Sequence, residues 1–262
     1  MSNLQSFSQT RNSITGVFGT GKVQFIYESQ SFTVPAGITS LRVRVWGNGG
    51  STDSQGRGGG GAGGFAMKTI TGLTSGASIS ATIGTTRGAT NSFGSYVSAT
   101  GGANTDNDTT GGAGGVGVGG DINHTGGKGA DHSNNTNWGG GGGAASFFGN
   151  GGGGWGFEYQ PQLTKSFGGA SGAASYLSNN GNPANAARNY SPSRVSDEFF
   201  IQDLDYIGTG YSPVGFATSI QPKQAGINGA GGSGEFPGAA PGGGGGWFSA
   251  LGWAPGFIVV EY

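Results

Sequence analysis

Gly111-Gly112-Ala113-Gly114-Gly115-Val116-Gly117-Val118-Gly119 is the stretch on which the fold turns. Each glycine inside a helix or strand costs about 0.5–1 kcal/mol relative to alanine, so the run forms no ordinary helix. Polyglycine has another ordered form, a left-handed helix of three residues per turn related to polyproline II. It makes no internal hydrogen bonds and turns every N–H and C=O outward. Buried backbone groups must be paired, and glycine alone lets such helices approach closely enough for N–H···O and Cα–H···O contacts. Ala113 and Val116 are three apart, which puts both on one edge of such a helix and leaves the other edges free to pack. The competing reading is a mobile glycine linker.

Further runs lie at 56–64, 139–143, 151–154, 168–172, 229–234 and 242–246, with ordinary globular sequence between them. Glycine supplies 62 of the 262 residues, more than three times ordinary usage, without a Gly-X-Y period. Charged residues are only 10% of the chain and nearly balanced while 11% are aromatic, so the chain condenses rather than staying solvated. Phe65, Trp138, Phe147, Phe148, Trp155, Trp247, Phe248 and Trp253 stand at run ends, where they would cover the edges of a glycine layer. That placement favours stacked layers over linkers.

Between the runs the period is two. Val23, Phe25 and Tyr27 alternate, and a turn at Pro35-Ala36-Gly37 precedes Leu41, Val43 and Val45 interleaved with Arg42 and Arg44, giving one apolar and one wet face. The same period runs through 65–70, 79–83 and 93–97, and Phe257-Ile258-Val259-Val260 closes the chain as a buried strand. The fold class is therefore mainly β: a small antiparallel framework whose first and last strands are neighbours, carrying stacked polyglycine-II-like segments and long loops.

Composition and motifs exclude several functions. A net charge of −1 with no Lys/Arg cluster argues against nucleic acid, and no segment approaches the roughly 20 apolar residues of a membrane span. The first residues have no basic region followed by an apolar run, so no export signal is expected. Without cysteine there is no disulfide framework or thiolate metal site. Gly16-Val17-Phe18-Gly19-Thr20-Gly21-Lys22 matches most of a phosphate-binding loop, but Val23 follows where a hydroxyl should meet magnesium, so it reads as a turn entering a strand. His124 and His132, beside Asp121 and Asp131, read as exposed loop histidines, and Asp197, Glu198, Asp203 and Asp205 as a solvated acidic face. No catalytic constellation, metal site or cofactor is expected, and the chain is not read as an enzyme.

Residues 176–224 are glycine-poor and carry Pro183, Pro192, Pro213 and Pro222 among aromatics. Long non-repetitive segments on a rigid scaffold often hold recognition, and tyrosine offers contact area at low entropy cost. The candidate binding residues are Tyr190, Phe199, Phe200, Tyr206 and Tyr211, with Trp138 and Trp155 at the edges of the glycine layer.

The string from Phe32-Thr33-Val34-Pro35-Ala36-Gly37 through Leu41-Arg42-Val43-Arg44-Val45-Trp46-Gly47 resembles the opening of the glycine-rich domain of bacteriophage tail and tail-fibre proteins. Gly63-Gly64-Phe65-Ala66, Ala89-Thr90-Asn91-Ser92-Phe93-Gly94, Gly143-Ala144-Ala145-Ser146-Phe147-Phe148-Gly149 and the closing 257–262 continue the likeness. The architecture is also similar to the distal adhesins of T-even-type phages. The resemblance implies a virion protein, made in the host cytoplasm, that binds a host cell-surface glycan or outer-surface protein through exposed loops. Residues 1–24, which the likeness does not cover, are read as the segment that attaches to other tail proteins, residues 25–262 as a glycine-rich β domain, and the resemblance to tail fibres implies a homotrimer. The alternative is a purely structural virion subunit (tail, baseplate or capsid decoration) with the same aromatics buried between subunits.

Overall fold

The computed structural model describes residues 18–52, 58–105, 109–131, 139–159, 163–167, 215–217, 231, 238, 240–246 and 253–262. Two five-stranded antiparallel sheets form its base. The first contains β1 (Val23–Ile26), β13 (Ile258–Glu261), β3 (Ser40–Trp46), β4 (Phe65–Thr71) and β9 (Ile122–His124), in that order. The second contains β2 (Gln30–Thr33), β5 (Ser78–Thr82), β6 (Asn91–Phe93), β7 (Val97–Ala99) and β8 (Gly117–Val118). A three-stranded sheet joins β10 (Trp155–Tyr159), β11 (Leu163–Phe167) and β12 (Gly215–Ala217). The described residues hold no α-helix. The first and last strands pair, Phe25 opposite Val259, as expected of the antiparallel framework.

Leu41, Val43, Val45, Ile258 and Val260 from one sheet and Phe32, Ile79, Ala81, Phe93 and Val97 from the other form one buried cluster. Phe32 meets Phe93 edge-on at 5.5 Å. Burying each large apolar side chain contributes about 1.5–3 kcal/mol, so this layer is what holds the two sheets together.

Three expectations are corrected. Val23, Phe25 and Tyr27 do not face the core: Ile26 does, and the alternate residues lie on the outer face. Residues 93–97 are not one strand but the tip between β6 and β7, where Gly94 has a positive φ of 55° that a strand does not allow. The face carrying Arg42 and Arg44 is not wet. Arg44 is 2% exposed, and its Nε lies 3.0 Å from Glu261 Oε1, with Glu261 equally buried. Phe147 roofs this pair, with its ring centroid 5.8 Å from the Arg44 guanidinium carbon. A second apolar cluster of Trp46, Phe65, Ala145, Phe257 and Val259 covers the rest of that face.

The glycine runs form a honeycomb. Residues 59–64 are its axis, and their N–H groups turn through three neighbours with a period of three. Gly59 and Ala62 donate to Ala130 and Gly127, Gly60 and Gly63 to Gly245 and Gly242, and Gly61 and Gly64 to Ala103 and Thr100. Their carbonyls accept in the same rotation: Gly59 and Ala62 from Gly112 and Gly115, Gly60 and Gly63 from Gly142 and Ala145, Gly61 and Gly64 from Gly50 and Gly47. Every backbone polar group of 59–64 is thus paired although the segment bonds nothing within itself, which is the polyglycine solution to burying a backbone.

The surrounding segments close on one another. Gly102 donates to Asn48, Ala103 to Ala113, Gly126 to Gly115, Gly127 to Gly143, Gly244 to Gly142 and Gly245 to Gly50. The ring order is therefore 47–52, 100–105, 111–116, 125–131, 139–145 and 242–246. A methyl group at Gly60, Gly61 or Gly63 would fall onto the carbonyl oxygen of Gly50, Ala113 or Gly47. Ala62 is the one non-glycine position of the axis, and it is fully buried.

Ala113 and Val116 both face solvent, on one edge of their helix as their spacing implies. Ala113→Lys is therefore expected to leave thermal unfolding unchanged within about 0.5 kcal/mol, the usual range for a surface substitution. A calorimetric scan of the variant checks this.

Side chains weld honeycomb to sandwich. Trp46 Nε1 donates to the Ala145 carbonyl at 3.1 Å. Asn91 Nδ2 donates to the Trp46 carbonyl at 2.6 Å while its Oδ1 accepts from Gly84 N at 2.7 Å. Asn48 donates to the carbonyls of Gly84 and Thr86 and accepts from Gly256 N.

Candidate functional site

Chain direction fixes where the honeycomb presents its connections. Segment 47–52 continues β3, 100–105 continues β7 and 125–131 continues β9, so all three run away from the sandwich. Segment 59–64 returns into β4 and 111–116 into β8. The bonding register agrees: 242–246 runs antiparallel to 59–64, whereas 139–145 runs parallel to it. The chain therefore leaves the honeycomb at Thr52, Thr105, Asp131 and Gly246 and comes back at Gly58, Gly111 and Gly139, all at the end remote from the sandwich, whereas the stretch from Trp253 rejoins part-way, with Ala254 bonded to Gly49 and Gly243. Segment 151–154 runs parallel to 125–131, with Gly151 and Gly154 donating to Thr125 and Lys128, and so delivers β10 to the same end. The axis lifts this end by about 19 Å, its six residues rising about 3.1 Å each.

Side chains finish the backbone pairing there. Asn104 Oδ1 accepts from Ser51 N at 3.2 Å, and Thr105 Oγ1 donates to the Gly58 carbonyl at 3.0 Å. Asp131 Oδ1 accepts from Gly111 N and from Lys128 Nζ, each at 2.7 Å. The Lys128 hydrogen bond, helped by the Gly111 amide and the lysine charge, holds the Asp131 carboxyl below its ordinary value of 3.8, against a smaller opposing effect of burial. A depressed folded pKa means that the contribution to stability is present in full above the ordinary value and is lost as pH falls through the lower, folded value. Protection of the Gly111 amide against hydrogen exchange is expected to follow that titration, and Asp131→Asn is expected to remove the pH dependence.

Of the residues singled out in the sequence, Trp155 begins β10. Trp138, Tyr190, Phe199, Phe200, Tyr206 and Tyr211 lie outside the described residues. So do His132, Asp197, Glu198, Asp203 and Asp205, and residues 176–224 apart from β12, whose Gly215–Ala217 pairs with β11. His124 is not a loop residue: it is half-buried on β9, opposite Phe65, with the two rings 6.4 Å apart and nearly parallel. Asp121 accepts from Thr69 N at 2.8 Å and thereby anchors the β9 edge of the first sheet. Among the described residues no group of three His, Asp or Glu side chains is placed to hold a metal ion. The turn at Gly19 to Gly21 leads into β1 as read, with Gly21 N donating to the Phe18 carbonyl.

Sequence reasoning missed that the connections gather at one end. The signal was present as strand, glycine run, connection, glycine run, strand, which occurs at 40–71 and again at 97–118. A run that continues a strand points away from the sheet, and a run that feeds one points back.

Comparison with known proteins adds one positive finding: a family model described as a glycine-rich domain matches residues 26–256. The search of curated proteins found no match.

Proposed function

The chain belongs to the glycine-rich domain family, and from that premise we propose that it is a bacteriophage tail or tail-fibre adhesin that binds a host cell-surface glycan or outer-surface protein. In this reading the sandwich is the base, the honeycomb is a stiff spacer, and the connections at its far end carry recognition. The observation that carries the reading is the common exit end: Thr52, Thr105, Asp131, Gly154 and Gly246 all hand the chain on at the end remote from the sandwich. Binding loops concentrated at one end of a rigid scaffold are a recurrent solution to recognition. The aromatic residues Tyr190, Phe199, Phe200, Tyr206 and Tyr211 belong to the longest of these connections and suit sugar faces and protein pockets alike. The protein would be made in the host cytoplasm and act on the virion, attached to other tail proteins.

The test is binding of labelled full-length protein to a panel of intact bacteria, beside a folded variant in which 176–224 is replaced by a short Gly/Ser linker. Selective binding that the variant loses is the expected result. Absence of binding to every strain, including a known host of the parent phage, would overturn the adhesin reading in favour of a purely structural virion subunit.

A further inference from the structure

Among the described residues β1 is the outermost strand of the first sheet and pairs on one side only, with β13. Lys22 and Tyr262 exchange both backbone hydrogen bonds, at 3.1 and 3.0 Å, so the alternate residues Val23 and Phe25 turn their N–H and C=O groups outward, away from β13, and Tyr27 follows directly after the strand, before a bend at Glu28. The side chains of Val23, Phe25 and Tyr27 are exposed by 37%, 40% and 63% on one face of the sheet. The Phe25 and Tyr27 rings lie 6.1 Å apart and almost parallel, both resting on Phe257. Natural edge strands are normally guarded by a charge, a proline or a bulge within the strand. Val23-Gln24-Phe25-Ile26-Tyr27 has no charge and no proline, and its only charges, Lys22 and Glu28, flank it.

Those two charges identify the occupant. An antiparallel pair of β1 strands related by a twofold axis at Phe25 sets Phe25 opposite Phe25, Val23 opposite Tyr27 and Lys22 opposite Glu28, twice over. Phe25 is one of the outward-bonding residues, so this register makes a hydrogen-bonded pair on the axis. Shifting the axis to residue 24 or 26 would set Lys22 opposite Ile26 or Glu28 opposite Gln24 and lose the charge match. We propose that β1 docks against β1 of a second copy, joining the two first sheets into one continuous antiparallel sheet with the Phe25 and Tyr27 rows packed across the axis. Such an isologous contact is twofold, unlike the threefold arrangement that the family resemblance implies. It is independent of whether the far end binds a host.

Sedimentation equilibrium of the purified full-length chain tests this. The expected species is a dimer with micromolar affinity. Phe25→Lys, at an exposed position, is expected to sediment as a monomer with an unchanged circular dichroism spectrum. Lys22→Glu, which sets two carboxylates opposite each other at both ends, is expected to raise the dissociation constant about tenfold, and Lys22→Glu combined with Glu28→Lys to restore it. The charge exchange touches only exposed ends and so decides the matter even if Phe25→Lys disturbs folding. A monomer throughout the micromolar range, a trimer, or a double exchange no tighter than Lys22→Glu alone would overturn the proposal.

Discussion

Gly61→Ala is expected to destabilise the folded chain by at least about 3 kcal/mol, more than any exposed substitution. The added methyl would land on the Ala113 carbonyl oxygen and close to that of Gly112, both rigid backbone. Relief requires moving 59–64 away from 111–116, and that movement breaks the hydrogen bonds Gly112 N to Gly59 O and Gly115 N to Ala62 O, which are 2.9 and 2.8 Å long. Overpacking alone costs about 1–3 kcal/mol, and each buried group left unpaired adds about 1–3 kcal/mol. For a chain of this size a loss of 3 kcal/mol corresponds to roughly 6–12 °C in Tm. Gly153→Ala is the matched control. Its nearest non-neighbouring atom would be the Lys128 carbonyl oxygen at 3.4 Å, so its Tm is expected to stay within about 2 °C of the parent. Equal effects at the two positions would mean that glycine is needed at position 61 for chain flexibility and not for close approach.

Glu261→Gln is expected to cost about 3–5 kcal/mol in a chemical denaturation experiment. It leaves the Arg44 guanidinium buried beneath Phe147 with its carboxylate partner gone, and removing one member of a buried pair is far more costly than removing both. Arg42, whose Nη1 lies 3.7 Å from Glu261 Oε2, loses the same partner but is a quarter exposed and can turn to water. Arg44→Met together with Glu261→Leu is expected to recover most of the loss, because matched apolar side chains fit the cluster around Val259 and Trp46. If the double variant were as unstable as Glu261→Gln, the pair would be specifying the packing of β13 against β3 and not merely neutralising itself.

These two sites mark where the sequence could be read and where it could not. Alternation in 65–70 and 79–83 locates β4 and β5, since a half-buried strand carries its period in its own residues, and the unbroken apolar run 257–260 locates the fully buried β13. The three-residue spacing of Ala113 and Val116 likewise locates the solvent edge of a polyglycine helix. Alternation does not say which of two faces meets the core, and on β1 the single Ile26 outweighs the trio Val23, Phe25 and Tyr27. Nor does it reveal that a second layer covers a face: Arg44 looks solvated until Phe147, about a hundred residues away, closes over it. The honeycomb order is less legible still. Gly59, Gly60 and Gly61 are identical in sequence yet donate to Ala130, Gly245 and Ala103, partners assigned only by the path of the whole chain. The aromatic candidates for recognition lie in connections outside the described residues, and what can be located is the end from which those connections leave.

The most direct test of the honeycomb is hydrogen exchange at the amides of 59–64, followed by nuclear magnetic resonance at neutral pH. Each of these N–H groups is hydrogen-bonded to a different turn of a surrounding helix, so their exchange is expected to require global unfolding and to be as slow as that of the Val43 and Val45 amides in β3. Exchange of Gly59 to Gly64 at the rate of an unstructured glycine peptide, with β3 still protected, would contradict the honeycomb and return these runs to the status of linkers.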